Sequence, residues 1–191
     1  MAVATDTVSV HKDVSTLRDN GPRSILNQAM LLLASQPKAI FVGQGVASDG
    51  VATYDDLDGV PMDQRIEFPV AEELQVGFGI GLSLQGFLPI LVFPRCDFLL
   101  RAMDQIVNHL DKLERMSRGQ FKPKVIIRTR VGGKTPLDAG PQHTQDLTLA
   151  LRDMLQDTMV SKISKESDIM ATYEQAIARN YSTIVVEALG C

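Results

Sequence analysis

The stretch IEFPVAEELQVGFGIGLSLQGFLPILVF (residues 66–93) decides the fold. It opens with a short apolar run, IEFPV (66–70), and continues through a helical pattern of apolar residues from about Ala71 to Gln85. It ends in a second apolar run, PILVF (89–93). Short apolar runs on either side of a helix are typical of a strand–helix–strand unit with parallel strands. This stretch therefore predicts an α/β domain.

The same alternation extends along the rest of the chain. Further strands are predicted at 38–43, 124–129, 159–163 and 182–189, and further helices at 22–35, 97–116, 146–155 and 166–178. We therefore expect a polar N-terminal segment over 1–20 and one three-layer α/β/α domain with a mostly parallel central sheet over 21–191. The stretches 44–64 and 130–144 are predicted to be long loops, which often carry function. The apolar stripe on 97–116 fits either a core helix or a subunit interface.

Composition excludes several classes of protein. The chain has 191 residues with 45% hydrophobic and 22% charged positions, the range of a single globular domain. A net charge of -4 offers no basic field for nucleic acid. Cys96 and Cys191 lack the spacing of a zinc or redox motif, and the three histidines are too far apart to suggest a metal cluster. Without a signal peptide or an apolar run of about 18 residues, we expect a cytoplasmic protein that does not span a membrane.

Three glycines in the segment VGFGIGLSLQG (76–86) superficially suggest a dinucleotide site. That fingerprint needs a glycine turn directly after a strand, whereas Gly77, Gly79 and Gly81 sit inside a helical pattern. Glycine destabilises a helix, so we expect a close approach by another backbone or a ligand to compensate, with tight packing favoured over phosphate binding. A GxxxxGK[ST] phosphate loop is also absent from the sequence.

Two positions in the sequence, the Glu72-Glu73 pair and His143, are candidates for chemistry on position alone. Glu72 and Glu73 open the predicted helix, where the helix dipole stabilises carboxylates, but a carboxylate beyond the end of a strand can also bind a ligand. His143 ends the Gly-rich loop among polar neighbours and is either a loop histidine bonded to backbone or a site residue. The pattern leaves both alternatives open for both residues.

A resemblance to a known family adds to this interpretation. It extends from about Ile25 to Val186, and its most specific parts are Pro69, Glu72 and Gly86, then Ala102, Asp104, Gln105, Asn108 and Lys112, then PQHTQ (141–145). In this order the segments resemble the pyrimidine-binding domain of the beta chain of thiamine-dependent 2-oxoacid dehydrogenases. The same domain occurs in transketolase-like enzymes.

The resemblance implies roles for three side chains. The family's glutamate at the position of Glu72 hydrogen-bonds ring nitrogen N1′ of the aminopyrimidine of thiamine diphosphate. Proton sharing there favours the imino tautomer, whose 4′ nitrogen can remove the proton from C2. The family's stacking aromatic falls on Phe98, and its histidine near the substrate falls on His143. The expected catalytic residues are thus Glu72 and His143, and the expected cofactor contacts are Glu72 and Phe98, with no metal ligand in this chain.

The sequence also departs from the family pattern. Cys96 replaces an aromatic residue, and Gln44-Gly45 replaces an acidic pair, so the substrate need not be that of a dehydrogenase. The family's beta chains carry a further C-terminal domain, whereas this sequence ends after the strand predicted at 182–189. The GDG motif with a following asparagine, which holds Mg²⁺ and the diphosphate in this superfamily, is not met by Ser48-Asp49-Gly50.

We therefore expect one subunit of a split thiamine diphosphate-dependent enzyme. A separate diphosphate-binding, alpha-type subunit would hold Mg²⁺, and the two would assemble as a heterotetramer acting on a 2-oxoacid or ketose by decarboxylation or two-carbon transfer. One alternative is a non-catalytic regulatory or assembly subunit of such a complex. Another is an unrelated flavodoxin-like binding domain.

Overall fold

A computed structural model describes residues 24–48, 52–133 and 138–189. The predicted polar segment 1–20, Pro22 and Cys191 lie outside the described residues. In the described ranges, no helix has both the length and the apolar character needed to cross a membrane.

Six strands form one sheet in which every neighbouring pair is parallel. The strands are β1 (Ala39–Gly43), β2 (Arg65–Glu67), β3 (Leu88–Phe93), β4 (Ile126–Arg130), β5 (Met159–Ile163) and β6 (Thr183–Glu187). Their order across the sheet is β2-β1-β3-β4-β6-β5. The predicted parallel α/β sheet is therefore confirmed.

Helices cover both faces of this sheet. The α-helices are α1 (Ile25–Ala34), α2 (Ala52–Asp56), α3 (Glu72–Leu84), α4 (Leu113–Met116), α5 (Thr148–Met154) and α6 (Ile169–Ala178). Alternate residues of β3 enter two separate cores: Ile90 packs in a cluster with residues of α1 and α6, and Leu91 packs in one with residues of α3 and α5. This alternation produces the predicted three-layer α/β/α architecture.

Helix α3 ends at Gly86, whose backbone is in the left-handed conformation that favours glycine. Gly86 has φ +80, and its N–H donates to the carbonyl of Ser83 while the N–H of Phe87 donates to that of Leu82. These two hydrogen bonds form a Schellman motif, which satisfies carbonyls that the helix end leaves free. The chain then enters β3 at Leu88.

Only one of the three glycines within α3 has the close approach that we expected. A Cβ on Gly79 would lie 2.8 Å from both terminal methyl carbons of Leu91, so this glycine lets the helix pack tightly on β3. Gly77 makes only an ordinary contact with Gln105, and a Cβ on Gly81 would meet nothing within 4 Å. The expectation of a compensating contact is therefore wrong for Gly81.

The helix predicted over 97–116 is divided into three parts. A 3₁₀ helix spans Cys96–Ala102, a π-type helix spans Gln105–Leu110, and α4 follows. The N–H of Asp111 donates to the carbonyl of Ile106, five residues back, which is the π-type bond that interrupts the α-helical pattern. The apolar stripe nevertheless faces the core, since Leu99, Ile106 and Leu110 are all buried.

The stretch 44–64, predicted to be a loop, contains helix α2. Asp56, its last residue, accepts hydrogen bonds from Arg128 and Arg130 of β4, both at 2.6 Å. This contact holds α2 against the sheet. Because the two arginines lie far along the chain, the local sequence does not reveal the contact.

A buried ion cluster continues from Asp56 into the core. Arg128 Nε donates to Glu187 Oε1 at 2.8 Å, and the hydroxyl of Tyr173 donates to the same oxygen at 2.6 Å. Burial alone would raise the pKa of the Glu187 carboxyl, but the adjacent Arg128 guanidinium lowers it below its usual value. The cluster therefore ties α2, β4, α6 and β6 together through charged groups.

Candidate functional site

Glu72 is a buried carboxylate at the start of α3, beyond the carboxyl end of β2. It is only 7% exposed, whereas its neighbour Glu73 is exposed to solvent. No hydrogen bond from the described part of the chain reaches the Glu72 side chain. Its oxygens are not among the fully buried side-chain atoms that lack a partner, so they remain open to a hydrogen-bond partner from outside these residues.

Gln75, one turn later, fixes α3 to the edge of the sheet. Its Nε2 donates to the carbonyls of Val42 and Val92 at 3.0 and 3.2 Å, near the carboxyl ends of β1 and β3. The two strands approach closely here, because a Cβ on Gly43 would lie 2.3 Å from the carbonyl oxygen of Val92. Glu72 is thereby held at the edge where parallel sheets bind ligands.

A cleft of about 450 Å³ opens beside Glu72. It is lined by Val70, Ala71, Glu72, Glu73, Leu74, Gly77, Arg101 and Gln105. Phe98 and His143 do not line this cleft. A larger cleft, of about 860 Å³, lies near the amino ends of β5 and β6 and includes none of the predicted site residues.

Phe98 and His143, which are far apart in sequence, lie together in the structure. Their ring centroids are 5.6 Å apart, and the rings meet edge to face at 84°. Both side chains are half-buried. The Nδ1 atom of His143 is buried and has no hydrogen-bond partner among the described residues. The 3₁₀ helix that carries Phe98 packs against α3, the helix of Glu72.

The loop of His143 is held in place by contacts that the sequence did not indicate. Asp97 Oδ1 accepts hydrogen bonds from Nε2 of Gln145 at 2.8 Å and from its backbone N–H at 3.3 Å. On its other side the loop presses against Gly132, where a Cβ would lie 2.0 Å from the carbonyl oxygen of His143. These contacts fix the imidazole beside Phe98.

Glu67 organises a second loop at the same edge of the sheet. Its carboxylate accepts from the backbone N–H groups of Gly45, Ala47 and Ser48 at 2.6, 2.8 and 3.1 Å. Partial burial raises the pKa of Glu67, but these hydrogen bonds outweigh it and lower the pKa below its usual value. The loop that lacks the family's acidic pair is thus held by a glutamate from the neighbouring strand, a role that the sequence analysis missed.

Metal ligands are not grouped at this edge. Within the described ranges, no three His, Cys, Asp or Glu side chains are close enough together to hold a metal ion. The Cys96 thiol is buried, and burial raises its pKa to about 11. A thiol with so high a pKa is protonated at neutral pH and is a poor nucleophile.

A comparison with known proteins identifies the family. Residues 22–188 match the family described as "Transketolase, pyrimidine binding domain". The chain belongs to this family. This match confirms the resemblance found in the sequence, and members of the family are thiamine diphosphate-dependent.

Individual relatives share part of their length with this chain. The pyruvate dehydrogenase E1 component subunit beta of Mycoplasma pneumoniae is 23% identical over 197 residues, covering 90% of this chain and 59% of that protein. The 3-methyl-2-oxobutanoate dehydrogenase subunit beta of Mycobacterium tuberculosis is 30% identical over 107 residues, covering 54% of this chain and 31% of that protein. The chain thus spans less than two thirds of the length of either relative.

A solved structure with the same fold is described as "Split gene transketolase, inactive beta4 tetramer". It superimposes with a TM-score of 0.67 at 20% identity, covering 86% of this chain and 50% of that one. At this level of identity the likeness establishes the fold.

Proposed function

We propose that the chain is the pyrimidine-domain subunit of a split thiamine diphosphate-dependent enzyme, in which Glu72 activates the cofactor. The reaction would be decarboxylation of a 2-oxoacid or transfer of a two-carbon unit. The observation that carries this proposal is the Glu72 carboxylate, 7% exposed and without a partner among the described residues. Family membership gives that carboxylate a ligand of matching chemistry.

The residues at this edge fit an aminopyrimidine ring. A buried carboxylate can share a proton with a ring nitrogen, and the low exposure of Glu72 strengthens such a bond by keeping water away. Phe98 offers a half-buried aromatic ring on the element packed against α3. A flat heterocycle can stack on such a ring.

In this proposal each of the three side chains has a separate task. When bound, thiamine diphosphate supplies a nucleophilic C2 carbon that adds to the carbonyl of the substrate. Glu72 holds a proton at N1′ of the pyrimidine, Phe98 orients the ring, and His143 exchanges protons with the substrate through its imidazole. The close pairing of Phe98 with His143 would bring cofactor and substrate to neighbouring positions.

A partner subunit is proposed to complete the site and to hold the diphosphate with Mg²⁺. Exposed apolar side chains occur at the Glu72 cleft: Val70 (79% exposed) and Leu74 (61%) line it, and Phe78 (38%) and Leu100 (52%) adjoin the lining residues Gly77 and Arg101 in sequence. Apolar side chains grouped on a surface often mark a protein interface. The relatives are named as beta subunits, and we propose that this chain likewise pairs with an alpha-type subunit, in a heterotetramer.

The test is to replace Glu72 by glutamine and to follow exchange of the C2 proton of thiamine diphosphate by NMR in the assembled complex. Glutamine keeps the size of the side chain but removes the ionisable group, so we expect exchange and turnover to fall by at least about 10². The matched control is Glu73→Gln, because the side chain one position further along the helix points about 100° away. Glu73 should contribute only a helix-start charge worth under about 1 kcal/mol.

Two outcomes would overturn the proposal. In one, the Glu72→Gln complex exchanges the C2 proton at the wild-type rate. In the other, Glu73→Gln is the variant that stops exchange. Circular dichroism and co-purification with the partner show that each variant is folded and assembled, so that a loss of exchange can be assigned to the missing carboxylate.

A further inference from the structure

The larger cleft, of about 860 Å³, has no role in the proposed function. It lies at the amino ends of β5 and β6, whereas Glu72 lies beyond the carboxyl end of β2. Three segments form its wall: α4 with the turn that follows it, the end of α5 with the turn into β5, and the turn before β6. We call it the amino-end cleft. Its volume is in the range of sites that bind small molecules.

A buried carboxylate holds the wall of the amino-end cleft from behind. Asp111 is only 2% exposed. Its Oδ1 accepts from the backbone N–H groups of Gln156, Asp157 and Thr158 at 3.1, 2.9 and 2.8 Å. Its Oδ2 lies 3.5 Å from Nη2 of Arg115 on α4. These contacts fix the turn between α5 and β5, so this part of the cleft is preformed and a ligand would not have to order it.

The two carboxylates that line the cleft, Glu114 and Asp157, are already paired with cations. Lys122 Nζ lies 2.5 Å from a Glu114 oxygen, and Arg115 Nε lies 2.6 Å from an Asp157 oxygen. The remaining contact of Arg115 is neutral, since its Nη1 donates to Oε1 of Gln156 at 2.8 Å. Each negative charge in the described wall is therefore matched by a cation of its own.

Two further arginines of the wall, Arg118 and Arg152, have no such partner among the described residues. Nε of Arg152 donates to the carbonyl of Val160 at 3.2 Å, and its two Nη groups keep their hydrogens free within the described ranges. The backbone of Arg118 lies in the left-handed region, with φ +53, which a residue other than glycine seldom adopts. Both side chains are exposed to solvent, so a dissolved anion can reach them.

The chemistry of these groups selects an oxyanion. A guanidinium group donates two parallel hydrogen bonds to the oxygens of a phosphate or a carboxylate. Phosphate concentrates nearly two negative charges in one group, which two arginines can share. Asn180 and Tyr181 also line the cleft and add an amide and a phenol that can donate hydrogen bonds. Met159, which is 40% exposed there, offers apolar surface to any carbon part of a ligand.

We propose that the amino-end cleft binds a phosphate-bearing small molecule, with Arg118 and Arg152 as its phosphate ligands. The sequence has no GxxxxGK[ST] loop, so side chains take the part that backbone N–H groups play in such loops. This site is separate from the Glu72 cleft, and the proposal does not depend on the proposed function.

The first experiment titrates the nitrogen-15-labelled full chain with inorganic phosphate, adenosine monophosphate and adenosine. NMR spectra are recorded at about 0.15 M salt, where attraction between exposed charges over long distances is screened. We expect both phosphates to shift the amide signals of residues 117–119, 156–158 and 180–181 and to leave those of 72–77 in place. Adenosine, which lacks the phosphate, should bind at least about tenfold more weakly than its monophosphate.

The two phosphates distinguish the source of the ligand. Tighter binding of adenosine monophosphate than of inorganic phosphate assigns the cleft to a phosphate ester, and equal binding assigns it to free phosphate. If neither shifts these signals at millimolar concentration, or if adenosine binds as well as its monophosphate, the proposal is wrong.

The second experiment repeats the titration with Arg118→Gln and Arg152→Gln. Each variant loses one charged donor group, so we expect its affinity for the better-binding phosphate to fall at least about tenfold. The matched control is Lys165→Gln, which removes the same charge from an exposed residue beyond the carboxyl end of β5. Its affinity should stay within about twofold of the wild type, because a charge this far from the cleft is screened by salt.

Two outcomes of the second experiment would contradict the assignment of the arginines. In one, both arginine variants bind phosphate as the wild type does. In the other, Lys165→Gln weakens binding as much as they do, which would indicate a diffuse charge effect without a site. The dispersed amide signals of each variant show that it is folded, so a loss of affinity can be assigned to the missing guanidinium.

Discussion

Phe98 contributes the aromatic ring of the candidate site. In the proposed function it stacks on the aminopyrimidine, and such a ring pair is worth about 1 kcal/mol beyond simple burial. Replacing Phe98 by alanine should therefore weaken binding of thiamine diphosphate to the assembled enzyme by roughly fivefold or more. Isothermal titration calorimetry measures this change.

Phe121→Ala is the control for that measurement. Phe121 is also a partly exposed phenylalanine, at 50%, but it precedes the amino end of β4, whereas Phe98 follows the carboxyl end of β3. Its replacement should leave cofactor affinity unchanged. Equal affinities for the Phe98→Ala and wild-type enzymes would assign Phe98 to the core, where it also packs.

Replacing His143 should affect turnover and cofactor binding differently. Because its proposed task is proton exchange with the substrate, His143→Asn should lower kcat by roughly 10² while the affinity for thiamine diphosphate changes little. Steady-state kinetics together with cofactor titration distinguish the two effects. A loss of cofactor affinity as large as the loss of kcat would instead make His143 a structural support for Phe98, which its ring touches.

At the scale of elements, helix α3 carries two glycines in opposite surroundings. A Cβ on Gly79 would lie 2.8 Å from both methyl carbons of Leu91, a fully buried side chain with little room to move. A Cβ on Gly81 would meet nothing within 4 Å. The same substitution at these two positions therefore isolates packing from helix propensity.

Gly79→Ala should lower the free energy of unfolding by about 1–3 kcal/mol through overpacking. Gly81→Ala should raise it by about 0.5–1 kcal/mol, since alanine restricts the unfolded chain and favours the helix. Urea denaturation of both variants measures the difference. Stabilisation by both substitutions would show that α3 can shift on β3, and would weaken the claim that Glu72 is rigidly placed.

The elements that sequence predicts well are those decided by local pattern. The strands at 89–93 and 159–163 are examples, because apolar runs carry their own signal. The break in 97–116 carries no such signal, since its apolar spacing continues through the π-type turn at Ile106. Helix α2 was missed because its Asp56 is held by arginines more than 70 residues away.

The candidate site shows the same division between local and distant information. Glu72, Phe98 and His143 were predicted through a resemblance, and the structure brings Phe98 and His143 into contact. The clasp of Asp97 on Gln145 joins residues 48 positions apart, and Glu67 caps a loop about 20 positions away. Pairings at these distances depend on the folded sheet and leave no periodic mark in one sequence.

At the scale of the whole molecule, the ion cluster of Arg128 and Glu187 joins elements from both halves of the chain. The two charges lie inside the strand patterns KVIIRT and STIVVEAL, and a buried charge needs a partner. Removing one charge leaves the other buried and unpaired, so Glu187→Gln should lower the free energy of unfolding at pH 7 by about 3–5 kcal/mol. Glu174→Gln, on the exposed side of α6, is the control and should change it by less than about 0.5 kcal/mol.

The effect should depend on pH in a defined direction. The Arg128 guanidinium, acting against burial, holds the pKa of Glu187 in the folded chain below the usual 4.5 of the unfolded chain. The ionised carboxylate therefore stabilises the fold fully above about pH 4.5, and this contribution is lost as the pH falls through the lower, folded-state pKa. Urea denaturation at a series of pH values should show wild type and Glu187→Gln converging in acid and fully separated above about pH 4.5, because the protonated carboxyl and the amide are both uncharged. A constant difference across that range would mean that Glu187 stabilises the molecule by packing and hydrogen bonding to Tyr173, and that the charge of the cluster contributes nothing to holding α2, β4, α6 and β6 together.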